Sequence, residues 1–266
     1  AAMRAREAMA KFVGRDASGE PNNLISQNGK QAKAAGVDGK VLNANGVPVD
    51  TWGLSLSPSL QWENMNLCPH GQCCGELCLG KRGGYYAFGE GFHDNYAMNA
   101  PRERALARSI AMFQDTPNFA VSLLEQLQGQ KAMSRSKGYA MSARLNTLSD
   151  LHPAVFKAIR EAMPGTMFYD YTKLPIFANE PNFHQTFSST GISVPGYTMK
   201  NGVLVPEIYN EHSNWDAVQK ALDRGHNVAM VLNEKNKKPS KIQYKDRVWD
   251  ASSGDVHDYR PADQVE

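Results

Sequence analysis

The sequence predicts an α/β domain on a mainly parallel sheet, either a TIM-like partial (β/α)6 barrel or an open sheet. Three observations predict it. From about residue 51 onward, short β-patterned runs alternate with helix-patterned runs. Polar, chemistry-bearing residues gather where successive strand patterns end, which is where parallel α/β domains keep their sites. The composition, 41% hydrophobic and 21% charged over 266 residues, supplies a sizeable core.

Taken in order, residues 1–50 read as an N-terminal extension. Residues 1–12 carry Ala, Arg and Lys with helix-like spacing, and 14–50 have the Gly, Asn and Asp content of loops or short hairpins. One α/β domain is expected over 51–266. "TWGLSLSP" (51–58) alternates apolar and polar residues and ends at proline, as a short strand does. In "NAPRERALARSIAMFQ" (99–114), Asn99 is placed to cap, Pro101 to open the first turn, and Leu106, Ile110 and Phe113 to share a face. "TPNFAVSLLEQLQG" (116–129) repeats the grammar with Thr116, Pro117 and a stripe of Ala120, Leu123, Leu124 and Leu127.

"YAMSARLNTLSD" (139–150) predicts a strand, and "HPAVFKAIREAMPG" (152–165) a helix stopped by Pro164 and Gly165. "TMFYDYTKL" (166–174) and "FHQTFSS" (183–189) predict two more strands. "SNWDAVQKALDRG" (213–225) predicts a helix with Ser213 as cap, Asp216 at the capping-box position and Gly225 as the stop. "HNVAMVLN" (226–233) reads as a buried strand. "NEKNKKPSK" (233–241) reads as a solvated turn, and 241–261 as a hairpin or late strand followed by an acidic loop.

Net charge is +2, from 29 basic and 27 acidic residues, so there is no basic excess of the kind that coats nucleic acid without regard to sequence. No run of about 18 apolar residues marks a membrane span. "AAMRAREAMAKFVGRD" lacks a secretory h-region, so a cytoplasmic setting is expected. In that reducing setting, clustered cysteines more often bind metal or do chemistry than form disulfides.

All four cysteines fall within "CPHGQCCGELC" (68–78), spaced Cys68-x4-Cys73-Cys74-x3-Cys78, with His70 among them, inside a loop of residues 68–84. Thiolates are soft ligands for zinc or iron–sulfur clusters. Zinc fingers pair two C-x2–4-C elements across a longer loop, and no second pair exists here. An iron–sulfur cluster, a zinc site that includes His70, and redox-active thiols all remain open.

The strand ends supply the other candidates. "RLNTLSD" gives Arg144, Asn146, Ser149 and Asp150. "FYDYTK" gives Asp170, Tyr171 and Lys173, and "FHQTFSS" gives His184, Ser188 and Ser189. "WDASSGDVHD" gives Asp250, Asp255, His257 and Asp258. Each has a plainer reading. Asp150 sits where a helix cap would. Asp170, inside an aromatic strand, must meet a cation, a donor or a ligand, because burying an unpaired carboxylate is costly. His184 fits a core histidine equally well, and Asp255 with His257 a surface turn.

The segments "NLCPHGQCCGELCLGKRGG", "RLNTLSD", "FYDYTK", "PNFHQTFSSTG" and "GDVHDYR" resemble, in that order, the landmarks of uncharacterised phage and plasmid proteins of the gene-product-88-like family, over roughly residues 52–260. The resemblance implies three loop cysteines, matching Cys68, Cys74 and Cys78, with Cys73 as an extra. A first strand, a three-cysteine loop and then β/α repeats is also similar to radical-SAM enzymes, which hold a four-iron cluster beyond the first strand of a partial barrel. The C-x3-C-x2-C spacing and GGE-like element of that group are absent here.

Three functions follow as expectations. In the first, Cys68, Cys74 and Cys78 hold an iron–sulfur cluster of the 4Fe-4S type, with S-adenosylmethionine (SAM) as a further cofactor and a nucleic acid or nucleotide as substrate. Arg144, Asn146, Lys173, His184, Ser188 and His257 then contact substrate, and Asp150, Asp170 and Asp255 handle protons or bind a base or ribose. In the second, similar to queuine-type transglycosylases, a zinc-containing enzyme exchanges bases with Asp150, Asp170 or Asp250 as nucleophile and base. In the third, the cysteines are a metal staple in a non-enzymatic binding protein. The phage resemblance places all three in the cytoplasm of a host bacterium.

Overall fold

The computed structural model describes residues 23–28, 31–32, 41–58, 66–69, 100–178, 180–189, 197–206, 214–230, 239–244, 247–252 and 259–263. The predicted fold class is observed. Six strands form an open, mostly parallel sheet: β1 (Ile25–Ser26), β2 (Val49–Leu54), β3 (Ala140–Arg144), β4 (Met167–Thr172), β5 (Phe183–Ser188) and, last in space, β8 (Val228–Ala229). Only β1 runs antiparallel. It comes from the stretch read as an extension and pairs with the carboxyl end of β2.

The helices α1 (Ala100–Gln114) and α2 (Thr116–Ser136) connect β2 to β3. Leu123 and Leu127 of α2 are fully buried in a core with Leu54, Met141, Ala143, Phe168 and Phe183. Strand register puts the sheet residues of this core on one face. Asp50 ties helix to sheet, accepting from Ser134 Oγ at 2.5 Å and Trp52 Nε1 at 3.0 Å. Asp115 rather than Thr116 caps α2, while the Thr116 hydroxyl donates to the Met112 carbonyl at 2.6 Å. The helix runs past Gly129, because one exposed glycine costs only about 1 kcal/mol and buried Gln130 and Ser134 extend its inner face. It stops at Gly138, at φ 79°. In α1, Leu106 and Ile110 are buried as expected, but Phe113 is 52% exposed and Met112 faces inward instead.

The predicted helix 152–165 is a 3-10 turn (Pro153–Phe156) followed by a short α3 (Lys157–Glu161). The helix α4 (Trp215–Asp223) follows Asn214, ends at Gly225 (φ 77°) and packs Val218 and Ala221 on Phe187. Strand β8 is less buried than its sequence predicts and stands last in the sheet among the described residues.

A second, four-stranded sheet was not foreseen. It contains β6 (Tyr197–Lys200), β7 (Val203–Pro206), β9 (Lys241–Tyr244) and β10 (Arg247–Asp250), in the order β10-β9-β7-β6. Asn201 and Gly202, at φ 52° and 79°, close the β6–β7 hairpin, as an Asn-Gly turn does. The late hairpin expected in 241–261 is β9–β10. Among the described residues, no helix is long and apolar enough to cross a membrane.

Candidate functional site

Because β2 to β5 are parallel, their carboxyl ends form one rim. Two layers of residues meet there. The helix-covered face carries Leu54, Ala143, Phe168 and Asp170. The other face is polar: Gly53 pairs with Arg144 and Tyr169 with His184, so Thr51, Ser142, Arg144, Tyr171 and Thr186 share it. Buried Val49, Tyr169 and Tyr259 form a small cluster on that side.

The loop "NTLSD" after β3 is organised by Asn146. Its backbone N–H donates to Asp170 Oδ1 at 2.9 Å and its side-chain amide to Oδ2 at 3.2 Å. Its own Oδ1 accepts from Ser149 Oγ at 2.9 Å and from the Leu151 N–H at 3.3 Å. Asp170 thus meets donors, as its burial demanded. Burial still dominates and pushes its carboxyl up to about 7, against the Arg144 and Arg160 charges and the Asn146 bonds.

Asp150 is buried and is not a helix cap; His152 has that place, accepting from the Ala154 N–H through Nδ1. Instead Asp150 Oδ2 accepts from the Lys173 N–H at 2.8 Å, beyond the end of β4. Its own N–H donates to the Leu67 carbonyl at 2.8 Å. Oδ1 of Asp150 is buried with no hydrogen-bond partner among the described residues. Cys68, half-buried, follows Leu67 directly. The rim therefore brings together Arg144, Asn146, Asp150, Asp170, Lys173, Ser188 and the start of the cysteine loop. The Arg144 guanidinium lies over the Tyr171 ring, 4.5 Å from its centre.

Other candidates lie elsewhere. His184 is the second residue of β5, roughly 13 Å of strand from Ser188. Its Nε2 lies 3.4 Å from Thr186 Oγ1 and 3.5 Å from Asn227 Nδ2. Burial, then His226 and Arg260, push its imidazole down to about 4. Asp250 is exposed on the β9–β10 hairpin beside Lys241. Cys73, Cys74, Cys78, His70, Asp255, His257 and Asp258 lie outside the described residues, among which no three His, Cys, Asp or Glu side chains group to hold a metal ion.

The sequence reading missed Gln31, which is 1% exposed and packs against Gly53 at the rim, where Thr147 also closes on that glycine. The signal was present in Asn28-x-x-Gln31, a capping-box spacing.

A family model matches residues 22–266. The chain belongs to the gene product 88 family. The family match begins before β1 and so takes in Gln31, extending the resemblance beyond residues 52–260. No curated protein and no solved structure matches the chain.

Proposed function

We propose that this gene product 88 family member is a metalloenzyme acting on a nucleic acid or nucleotide at the sheet's carboxyl rim. Cys68, Cys74 and Cys78 hold an iron–sulfur cluster of the four-iron type, with SAM as a further cofactor in a radical-SAM-like arrangement. The setting is the cytoplasm of a phage-infected bacterium. The observation that carries the reading is the tie from Leu67 through Asp150 to Lys173, which pins the residue preceding Cys68 to the ends of β3 and β4.

The donor set fits the group, since thiolates are the ligands such clusters take. When bound, the cluster supplies one-electron chemistry. The chain's own residues do the rest. Arg144 and Lys173 bind substrate oxyanions. Asp170, with its carboxyl near neutrality, holds or gives up a proton at Oδ1 or Oδ2. Asp150 positions the cysteine loop against the rim.

Anaerobic purification with iron, sulfide and zinc analysis tests this. About four irons and four sulfides per chain support it. One zinc without iron overturns it in favour of base exchange, a reading that the unpartnered Asp150 Oδ1 supports as a nucleophile. No metal overturns both, and the metal-stapled binding protein with them, and leaves the cysteines as reactive thiols.

A further inference from the structure

We propose that Gln31 is a ligand-contacting residue which, with Arg144, receives an oxyanion of the ligand at the carboxyl ends of β2 and β3. The inference rests on the reading of that rim as the substrate site and adds the chemistry of one subsite.

Asn28 and Gln31 form a reciprocal cap. Asn28 Oδ1 accepts from the Gln31 N–H at 2.9 Å, and Gln31 Oε1 accepts from the Asn28 N–H at 2.9 Å. The cap uses the oxygen of the Gln31 amide and fixes where its nitrogen goes. Nε2 is buried and has no acceptor among the described residues. Buried polar groups in folded proteins are nearly always partnered, so an orphaned pair of N–H donors asks for a reason. A cap alone gives none, since glutamate caps as well as glutamine and carries no such donor.

Gly53 supplies the second observation. A Cβ there would lie 2.4 Å from Gln31 Nε2 and 2.6 Å from Thr147 Oγ1. The amide occupies the space that any other residue at position 53 would fill. Gly53 is also the register partner of Arg144 on the polar face. The orphaned amide against Gly53, and Gly53's register partner Arg144 with its guanidinium stacked on Tyr171, thus share the polar face at the carboxyl end of the sheet. Donors of this kind beside a fixed cation call for an anionic oxygen acceptor, a phosphate or a carboxylate.

The test is isothermal titration of the full chain with inorganic phosphate, adenosine 5′-monophosphate and succinate, with metal content measured on the same samples. The three probes separate free phosphate, nucleotide phosphate and carboxylate. Gln31→Glu keeps the cap acceptor and replaces the donor by an acceptor. It is expected to weaken the best-bound probe at least tenfold while circular dichroism and metal content stay as in the wild type. Gly53→Ala displaces the amide without removing it and is expected to give a similar loss. It decides the matter if Gln31→Glu does not fold. Binding within twofold of wild type in the folded variant, or no binding of any probe by the wild type, overturns the inference. Failure of the cluster reading appears only in the iron content and leaves this binding unchanged.

Discussion

The backbone N–H of Lys173 donates to Oδ2 of Asp150 at 2.8 Å. That bond joins the loops leaving β3 and β4, and the Asp150 N–H carries the connection on to Leu67. Three loops that are far apart in sequence are thus held to one rim by a single buried residue. The other oxygen of the same carboxylate has no partner among the described residues, so one side chain both fixes the rim and offers it an acceptor.

Substitution separates the two roles. Asp150→Ala strands the Lys173 N–H and is expected to cost about 1–3 kcal/mol. Asp150→Asn keeps an oxygen for Lys173 and is expected to stay within about 1 kcal/mol of wild type while replacing the free acceptor by an amide donor. Urea unfolding of both variants checks this. Equal destabilisation would show that the charge, not the bond to Lys173, holds the loops.

Asp170 predicts a pH dependence. Its carboxyl is raised from 3.8 to about 7, chiefly by burial. The folded protein therefore keeps the proton that the unfolded chain gives up. This contribution to stability is complete below pH 3.8 and is lost as pH rises through about 7. Carbon-13 NMR of labelled aspartate should show a midpoint near 7. Asn146→Ala, which removes the amide donor to Oδ2, should move that midpoint higher. A midpoint near 4 would show that Asp170 reaches water.

Much of this was legible in the sequence, for local reasons. Asp170 inside "FYDYTK" announced a buried carboxylate needing a partner, and Asn146 in "RLNTLSD" supplied it. Helix α2 was legible except at its ends, where Asp115 took the capping role expected of Thr116 and Gly129 did not stop it. The 3.6-residue stripe placed Ile110 correctly but not Phe113, which shares its face yet stands at the last turn of the helix, where Met112 meets the core instead. Gln31 was hidden, since its meaning depends on Gly53 and Thr147, distant in sequence and adjacent only in the fold. The Asn201–Gly202 turn was readable as a hairpin and was overlooked.

His184 acts in the opposite direction to Asp170. Burial first, then His226 and Arg260, lower its imidazole from 6.5 to about 4. The unfolded chain takes up a proton that the folded protein refuses. Its contribution is present above pH 6.5 and is lost as pH falls through about 4, with a slope of at most about 1.4 kcal/mol per pH unit. Subtracting the pH–stability curve of His184→Gln from that of wild type isolates this slope from the opposing one of Asp170. A flat difference between pH 4 and 6.5 would mean that His184 is charged in the fold.

Arg160 and Glu180 give the largest expected loss. Arg160 is 2% exposed. Its Nε and Nη2 donate to the two Glu180 oxygens at 2.7 and 2.8 Å, and Nη2 also reaches the Pro153 carbonyl at 2.7 Å. The guanidinium lies over the Phe183 ring, 4.0 Å from its centre. The Arg160 hydrogen bonds hold Glu180 below the usual carboxylate range despite the opposing effect of burial. Glu180→Ala leaves a buried cation without its anion and is expected to destabilise by about 3–5 kcal/mol. Replacing both, as in Arg160→Met with Glu180→Leu, removes the stranded charge and should recover most of that loss. Denaturant midpoints of the single and double variants decide it. A double variant as unstable as Glu180→Ala would show that the bond to Pro153 and the stacking on Phe183, rather than the ion pair, hold β5 to the turn before α3.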